Sequence, residues 1–315
     1  MSSNPTPGGG HYVAPVDDAP VVVDQVDESQ EARSLWSDAW HALRRRPMFW
    51  ISAVLIVAIV VVALVPGLFT PLDPTRGDIT LSNGEPSPGH PLGYTQQGYD
   101  ILARLLYGAQ ASLTTGLVAM LLVVAIGGVA GAIAGYYGGW FDTILSRLGD
   151  IFFAIPTVLG AIVVMSTMQG DRTPVTVALV LALFAWPQMA RIMRGAVLGA
   201  KGADYVTASI SLGVSRAKIL VRHVIPNAIA PVIVLATTSL GTFIVAEATL
   251  SFLGIGLPPS TVSWGGDINA AQAAIRTNPE NLFFPSVALA ITVLAFLMLG
   301  DVVRDALDPK ARARR

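Results

Sequence analysis

Residues 112–136 read Ser-Leu-Thr-Thr-Gly-Leu-Val-Ala-Met-Leu-Leu-Val-Val-Ala-Ile-Gly-Gly-Val-Ala-Gly-Ala-Ile-Ala-Gly-Tyr, without one charged side chain. A helix rises about 1.5 Å per residue and a bilayer core is about 30 Å thick, so this stretch is long enough to cross a membrane. Gly127, Gly131 and Gly135 recur in it at four-residue spacing, with Ala130 and Ala134 alongside. That spacing lines the glycines up on one stripe, where a second backbone can approach closely. Lipid supplies no hydrophobic drive between helices, so close packing must hold them together. We read the three glycines as a helix-packing stripe, ahead of a pore-lining role.

The rest of the chain shares this character. Of its 315 residues, 53% are hydrophobic and only 13% charged. Soluble domains carry roughly 25% charge, so a water-soluble fold of this length would lack the polar surface to cover itself. Five further stretches are apolar enough to span, or nearly so: 49–69, 151–168, 174–190, 228–252 and 284–303. The stretches at 151–168 and 174–190 are short, and Pro156, Pro174, Pro187 and Pro231 start or kink helices in ways a bundle tolerates. The expected fold class is an all-α polytopic membrane protein with six transmembrane helices.

Charge placement orients it. With the N-terminus in the cytoplasm, the inner segments hold Arg33, Arg44, Arg45, Arg46, Arg147, Arg191, Arg194, Lys201, Arg216, Lys218, Arg222, Arg304, Lys310, Arg312, Arg314 and Arg315. Only Arg76, Arg104, Arg172 and Arg276 fall outside. The positive-inside rule therefore places both termini in the cytoplasm. The chain divides into an acidic, disordered cytoplasmic tail at 1–34 and an interfacial helix plus first span over 35–70. An extracytoplasmic loop with a short amphipathic helix follows over 71–111, then a transmembrane core over 112–303 and a basic tail over 304–315. The tail at 1–34 has no apolar run of the kind a secretory signal needs. In the outer loop Ile101, Leu102, Leu105 and Leu106 share a helical face that Asp100 can cap.

Other classes are excluded early. A net charge of −1 offers no basic field for nucleic acid, and zero cysteines exclude disulfides, thiolate metal sites and a cysteine nucleophile. His11, His41, His90 and His223 form no ligand-spaced pair, so no metal site is expected. An intramembrane enzyme would need a nucleophile and base at membrane depth, and a self-contained secondary transporter would show inverted repeats; neither is visible. Glu247, amid apolar neighbours in the fifth span, is the costliest ionisable group to place. It lines an outer gate, or braces the helices as a structural bracket.

The inner segment 191–227 is too long for a simple connection and has a helical pattern of its own. Around Asp204, Thr207 and Gly213, the side chains Tyr205, Ala208, Ser209 and Leu212 share one mostly small face, and Gly213 is a natural helix stop. From the residues alone, a docking helix and an ordinary loop helix stand equal.

Thr207-Ala208-Ser209, then Gly213, then Ile225-Pro226 resemble the EAA loop of ATP-binding-cassette importer permeases. His90-Pro91-Leu92-Gly93, Asp150-Ile151-Phe152, Trp186-Pro187, Glu247-Ala248-Thr249-Leu250-Ser251-Phe252-Leu253-Gly254, Ser263-Trp264-Gly265 and Arg304-Asp305-Ala306-Leu307-Asp308-Pro309 extend the likeness. Over about residues 35–310 the chain resembles the second permease subunit of dipeptide/oligopeptide importers. It departs from that pattern at Tyr94-Thr95, where the family carries Thr-Asp, at Tyr99, where it carries Arg, and at Thr207, where it carries Glu.

The resemblance implies the type I importer permease (MetI-like) fold in a bacterial inner membrane. It also implies a homologous second permease subunit, two cytoplasmic ATPase domains and an extracytoplasmic peptide-binding protein as partners. The residues at 204, 205, 207, 208, 209, 212 and 213 become the ATPase-coupling surface. No phosphate-cradling Gly-x-x-x-x-Gly-Lys motif occurs, so no enzyme activity and no bound cofactor are expected of this chain; ATP and Mg belong to the partner subunits. Dipeptides or oligopeptides are the expected cargo, with nickel or haem as the alternatives that relatives carry.

Overall fold

A computed structural model describes residues 35–307 apart from 169 and 171; the expected acidic tail and residues 308–315 of the basic tail lie outside the described residues. Those described are mostly helical, with two isolated bridges, Ser87 to His90 and Tyr94 to Asp100, in place of any sheet. Helix α1 (Leu35–Arg44) is followed by α2 (Pro47–Leu64), opened by a proline at the position where a missing N–H is harmless. Apolar on every side, α2 leaves Val54, Val57 and Leu64 exposed, as suits a helix at the lipid boundary.

After an irregular loop come α3 (Ile101–Tyr137), α4 (Gly139–Phe153), α5 (Thr157–Thr167) and α6 (Pro174–Ala200). The short α7 (Asp204–Ser211) and α8 (Arg216–Ile219) lead through a π-helical turn at Leu220–Val224 into α9 (Ile225–Ala228). The chain finishes with α10 (Ala230–Phe252), α11 (Trp264–Ala271) and α12 (Glu280–Leu307). Five of these helices, α2, α3, α6, α10 and α12, are each long and apolar enough to cross a membrane; α4 and α5 pass only together, bent by 80°.

Packing register fixes the direction of each crossing. Gly127 of α3 lies against the Trp186 carbonyl of α6, Gly131 against that of Ala190, and Gly135 against that of Arg194. Residue numbers rise together, so α3 and α6 are parallel, and the chain between them must return across the bundle. α4 and α5 make that return. Asp142 meets Arg194, Asp150 meets Arg191, Phe152 stands edge-on to Trp186 and Phe184, and Gly160 abuts Phe184. Along this pair the numbers on α6 fall as those on α4 and α5 rise, so the bent pair runs antiparallel to α6. α10 runs against α3, with Gly116 on Ile244 and Ser112 bonded to Glu247, and α12 runs against α10, with Gly300 on Thr238. Arg46 pairs with Asp305, so both ends of the described chain lie at the same end of the bundle as α7. Six traverses result, counting the bent pair as one.

Three expectations on element bounds need correction. The span expected at 151–168 is instead a helix begun at Gly139 and broken at 154–156, because Pro156 disfavours helix at the residue before it and caps α5 anew. The span expected to end at Ala190 runs through Pro187 to Ala200, since packing along α3 compensates for the lost backbone bond; the inner loop therefore starts at residue 201 rather than 191. The outer amphipathic helix near 101–106 is not separate. It is the first turns of α3, capped by Asp100, whose Oδ1 accepts from the Ala103 amide at 2.6 Å.

Candidate functional site

At the α7 end, the sequence builds a small helix and holds it away from the bundle. Val206, 1% exposed, packs into the core that also contains Ile219, Leu220 and Val224, which fixes how α7 is rotated. Tyr205, Thr207, Ala208 and Leu212 then face outward, Leu212 at 83% exposure, with Asp204 exposed at the helix start. Ser209 is half-buried and donates to the Tyr205 carbonyl at 2.8 Å. Gly213 ends the helix at φ +76°, its amide bonding Ile210 and the Val214 amide bonding Ser209; this paired closure requires the left-handed conformation glycine adopts without strain. All seven residues read as the coupling surface thus sit on α7 or on the two residues that close it, and five of them, Asp204, Tyr205, Thr207, Ala208 and Leu212, project side chains to the surface. Arg216, Lys218 and Arg222 follow, also exposed. Pro226 cannot donate to the turn before it, and one residue on the Asn227 side chain donates to the His223 carbonyl at 2.7 Å.

The helix that leads into α7 is tied to the other crossings. Lys201, at the end of α6, donates to the Gly135 carbonyl at 2.8 Å and so satisfies one of the carbonyls left open where α3 ends. Arg194 forks onto Asp142 of α4 with bonds of 2.5 and 2.7 Å. Beside α7, a groove of about 820 Å³ opens between α6, α10 and α12, with Tyr205, Asn227 and Arg304 on its rim and Val234 and Leu235 in its wall.

Glu247 lies toward the opposite end and is fully buried. Its Oε2 accepts from Ser112 of α3 at 2.9 Å and its Oε1 from Ser251 at 2.8 Å, so the costly carboxylate joins α3 and α10 through hydroxyl donors. It does not meet the α7 residues, and the glycine stripe at 127, 131 and 135 faces α6 on another side of α3.

A second pair at that end, nearly buried, is invisible to any local sequence pattern. Arg104, on the first turn of α3, donates from Nε at 2.7 Å and Nη2 at 2.5 Å to Oδ1 of Asp267 on α11. Arg104 also donates to the Pro74 carbonyl and lies 4.7 Å over the Tyr99 ring. A sequence separation of 163 hides the pair from any local pattern; the one hint is a lone carboxylate in the apolar stretch after Trp264. Trp264 itself donates to the Leu105 carbonyl at 2.9 Å, seating α11 against α3. The positions that depart from the family pattern are filled by contacts: Tyr94 stacks on His90 at 4.7 Å, and Tyr99 carries Arg104. In the loop before α3, the Thr80 hydroxyl and amide hold the Asp78 carboxyl below its usual range.

The chain was compared with known proteins. Residues 127–313 match the family model of the binding-protein-dependent transport system inner membrane component, and residues 34–86 match that of the N-terminal TM domain of oligopeptide transport permease C. The glutathione transport system permease protein GsiD of Escherichia coli O6:K15:H31 is 38% identical over 283 residues, 90% of this chain and 93% of that protein. GsiD of Shigella boydii serotype 4 agrees to the same degree, and that of Shigella dysenteriae serotype 1 is 37% identical over the same coverage. In fold, the chain is similar to a chain of the inward-facing MetNI methionine ABC transporter, with a TM-score of 0.51 and 21% identity over 65% of this chain and 96% of that one. The apolar helices, a family match over more than half the chain and relatives at 38% identity have one reading: the protein belongs to the binding-protein-dependent transport system inner membrane component family, as a non-catalytic, multi-pass permease subunit of an ABC importer.

Proposed function

We propose that this permease imports short peptides, glutathione among them, as one half of a translocation path completed by a homologous second permease subunit. Its α7 docks a cytoplasmic ATPase, and an extracytoplasmic binding protein delivers cargo to the opposite end. The observation that carries the coupling role is the presentation of α7. A single buried side chain, Val206, anchors the helix, while Tyr205, Ala208 and Leu212 are left outward as a compact face for a partner's groove. The peptide reading is supported by the names of the relatives, which are glutathione permeases at 38% identity over nine-tenths of the chain.

In this reading ATP and Mg act on the partner ATPases. Closure of those domains pushes α7, and the movement passes through Lys201 and Gly135 into α3 and α6, rocking the bundle between inward- and outward-open states. The test is Ala208→Arg in the whole importer. Copurification of the ATPase with the variant is expected to fall and peptide uptake to be lost, while the bundle keeps its melting temperature. Wild-type uptake and ATPase stimulation in this variant would overturn the coupling assignment. Uptake of labelled glutathione and of a dipeptide by the wild-type importer tests the cargo; transport of neither would remove the peptide reading.

A further inference from the structure

At the end of the bundle opposite α7, a cavity of about 380 Å³ opens between the loop before α3, the end of α10, α11 and the start of α12. That volume falls at the lower end of the roughly 300–1,000 Å³ of small-molecule sites, a size for a di- or tripeptide rather than a long chain. Its wall holds Arg104 and Asp267, each nearly buried, together with the neutral polar groups of Gln97, Asn269 and Asn281. Two observations point to a ligand with both charges. Arg104 turns Nε and Nη2 to one oxygen of Asp267 and Nη1 to the Pro74 carbonyl, so Asp267 Oδ2 has no bonded partner among the described residues. Asn281 is 6% exposed and donates through Nδ2 to Asn83, but its Oδ1 is buried and accepts no hydrogen bond. A buried acceptor without a donor costs about 1–3 kcal/mol, a cost removed when the Asn281 side chain turns its sealed Oδ1 toward the cavity and meets a ligand N–H there.

We propose that this cavity binds the charged ends of a zwitterionic short peptide, the carboxylate on Arg104 and the ammonium on Asp267 and, once its side chain has turned, on Asn281 Oδ1. The inference rests on the peptide reading above. Opening a buried ion pair to one charge would strand the other, whereas a zwitterion offers a partner to each and keeps the site neutral.

The experiment uses the purified importer assembled with its partner permease and ATPases, without binding protein, and equilibrium dialysis of labelled Gly-Leu, N-acetyl-Gly-Leu and Gly-Leu amide. Asn281→Leu is expected to weaken Gly-Leu about tenfold, which is 1.4 kcal/mol, and to leave the N-acetyl probe unchanged. The double variant Arg104→Asp with Asp267→Arg keeps an ion pair for folding, and is expected to weaken Gly-Leu and not its amide. Melting temperature and subunit copurification verify that both variants assemble. No Gly-Leu binding by the wild type, unchanged binding by both variants, or equal losses for free and blocked probes would overturn the site while peptide uptake by the wild type persists. Absence of any peptide uptake by the wild-type importer would instead overturn the peptide reading, and the site with it.

Discussion

Single atoms decide the contact between α3 and α6. A Cβ on Gly131 would overlap the Ala190 carbonyl, a backbone atom that no rotamer change can move, whereas a Cβ on Gly128, one residue from Gly127, meets nothing. Gly131→Ala is therefore expected to lose about 1–3 kcal/mol by overpacking, seen as a lower melting temperature of the detergent-solubilised protein, while Gly128→Ala melts with the wild type or above it. Equal melting of the two variants would show that the stripe does not set the helix spacing. Glu247 gives a second comparison. Glu247→Leu strands the hydroxyls of Ser112 and Ser251, at about 1–3 kcal/mol each, while Glu247→Gln keeps one acceptor oxygen. The expected melting order is wild type, then Gln, then Leu, and a Leu variant as stable as the wild type would deny the carboxylate its bracing role. The glycine stripe could be read from the sequence because four-residue spacing is a local property. The Arg104–Asp267 pair could not, because it is made by the fold, across 163 residues, between two groups each unremarkable in its own neighbourhood.

Helices that are apolar and free of internal breaks, α2, α10 and α12, lie where hydropathy puts them, to within a few residues. Hydropathy fails where proline has two meanings. Pro156 breaks the chain into α4 and α5, yet Pro187 and Pro285 lie inside continuous helices, and only the neighbouring helices determine which outcome occurs. Polar length is hidden in the same way. α6 continues ten residues past Ala190 because Arg194 finds Asp142 and Lys201 finds the end of α3, partners no local window contains. On α7 the sequence was more telling, since Gly213 marks the stop by chemistry alone. Gly213→Val places a β-branched residue at φ +76°, in open space, so its cost of about 1–2 kcal/mol is backbone strain rather than a clash. Hydrogen exchange at 205–212 is expected to speed up several-fold while exchange within α10 stays unchanged. Unaltered protection on α7 would mean that the cap does not hold the helix.

At the scale of the whole molecule, the parallel packing of α3 and α6 is the fact that counts crossings. If α4 and α5 dipped into the membrane and came back out, α6 would begin where α3 ends and the glycine register would run antiparallel; it runs parallel. Three traverses therefore separate the loop before α3 from α7, and the two must face opposite sides. Charge predicts that the α7 end faces the cytoplasm: Arg44, Arg45, Arg46, Lys201, Arg216, Lys218 and Arg222 gather there, whereas Arg76 and Arg104 are the cations of the loop before α3 and its first turn. The chain has no cysteine of its own, so Ser82→Cys and Ser211→Cys, both on exposed residues, report the two ends without background. A membrane-impermeant maleimide added to intact cells is expected to label the residue-82 variant at once, and the residue-211 variant only after permeabilisation. Labelling of both from outside, or of neither, would overturn the odd number of crossings and with it the role of the bent pair as a span. The reverse pattern would keep the crossings and invert the molecule, placing α7 out of reach of any cytoplasmic ATPase.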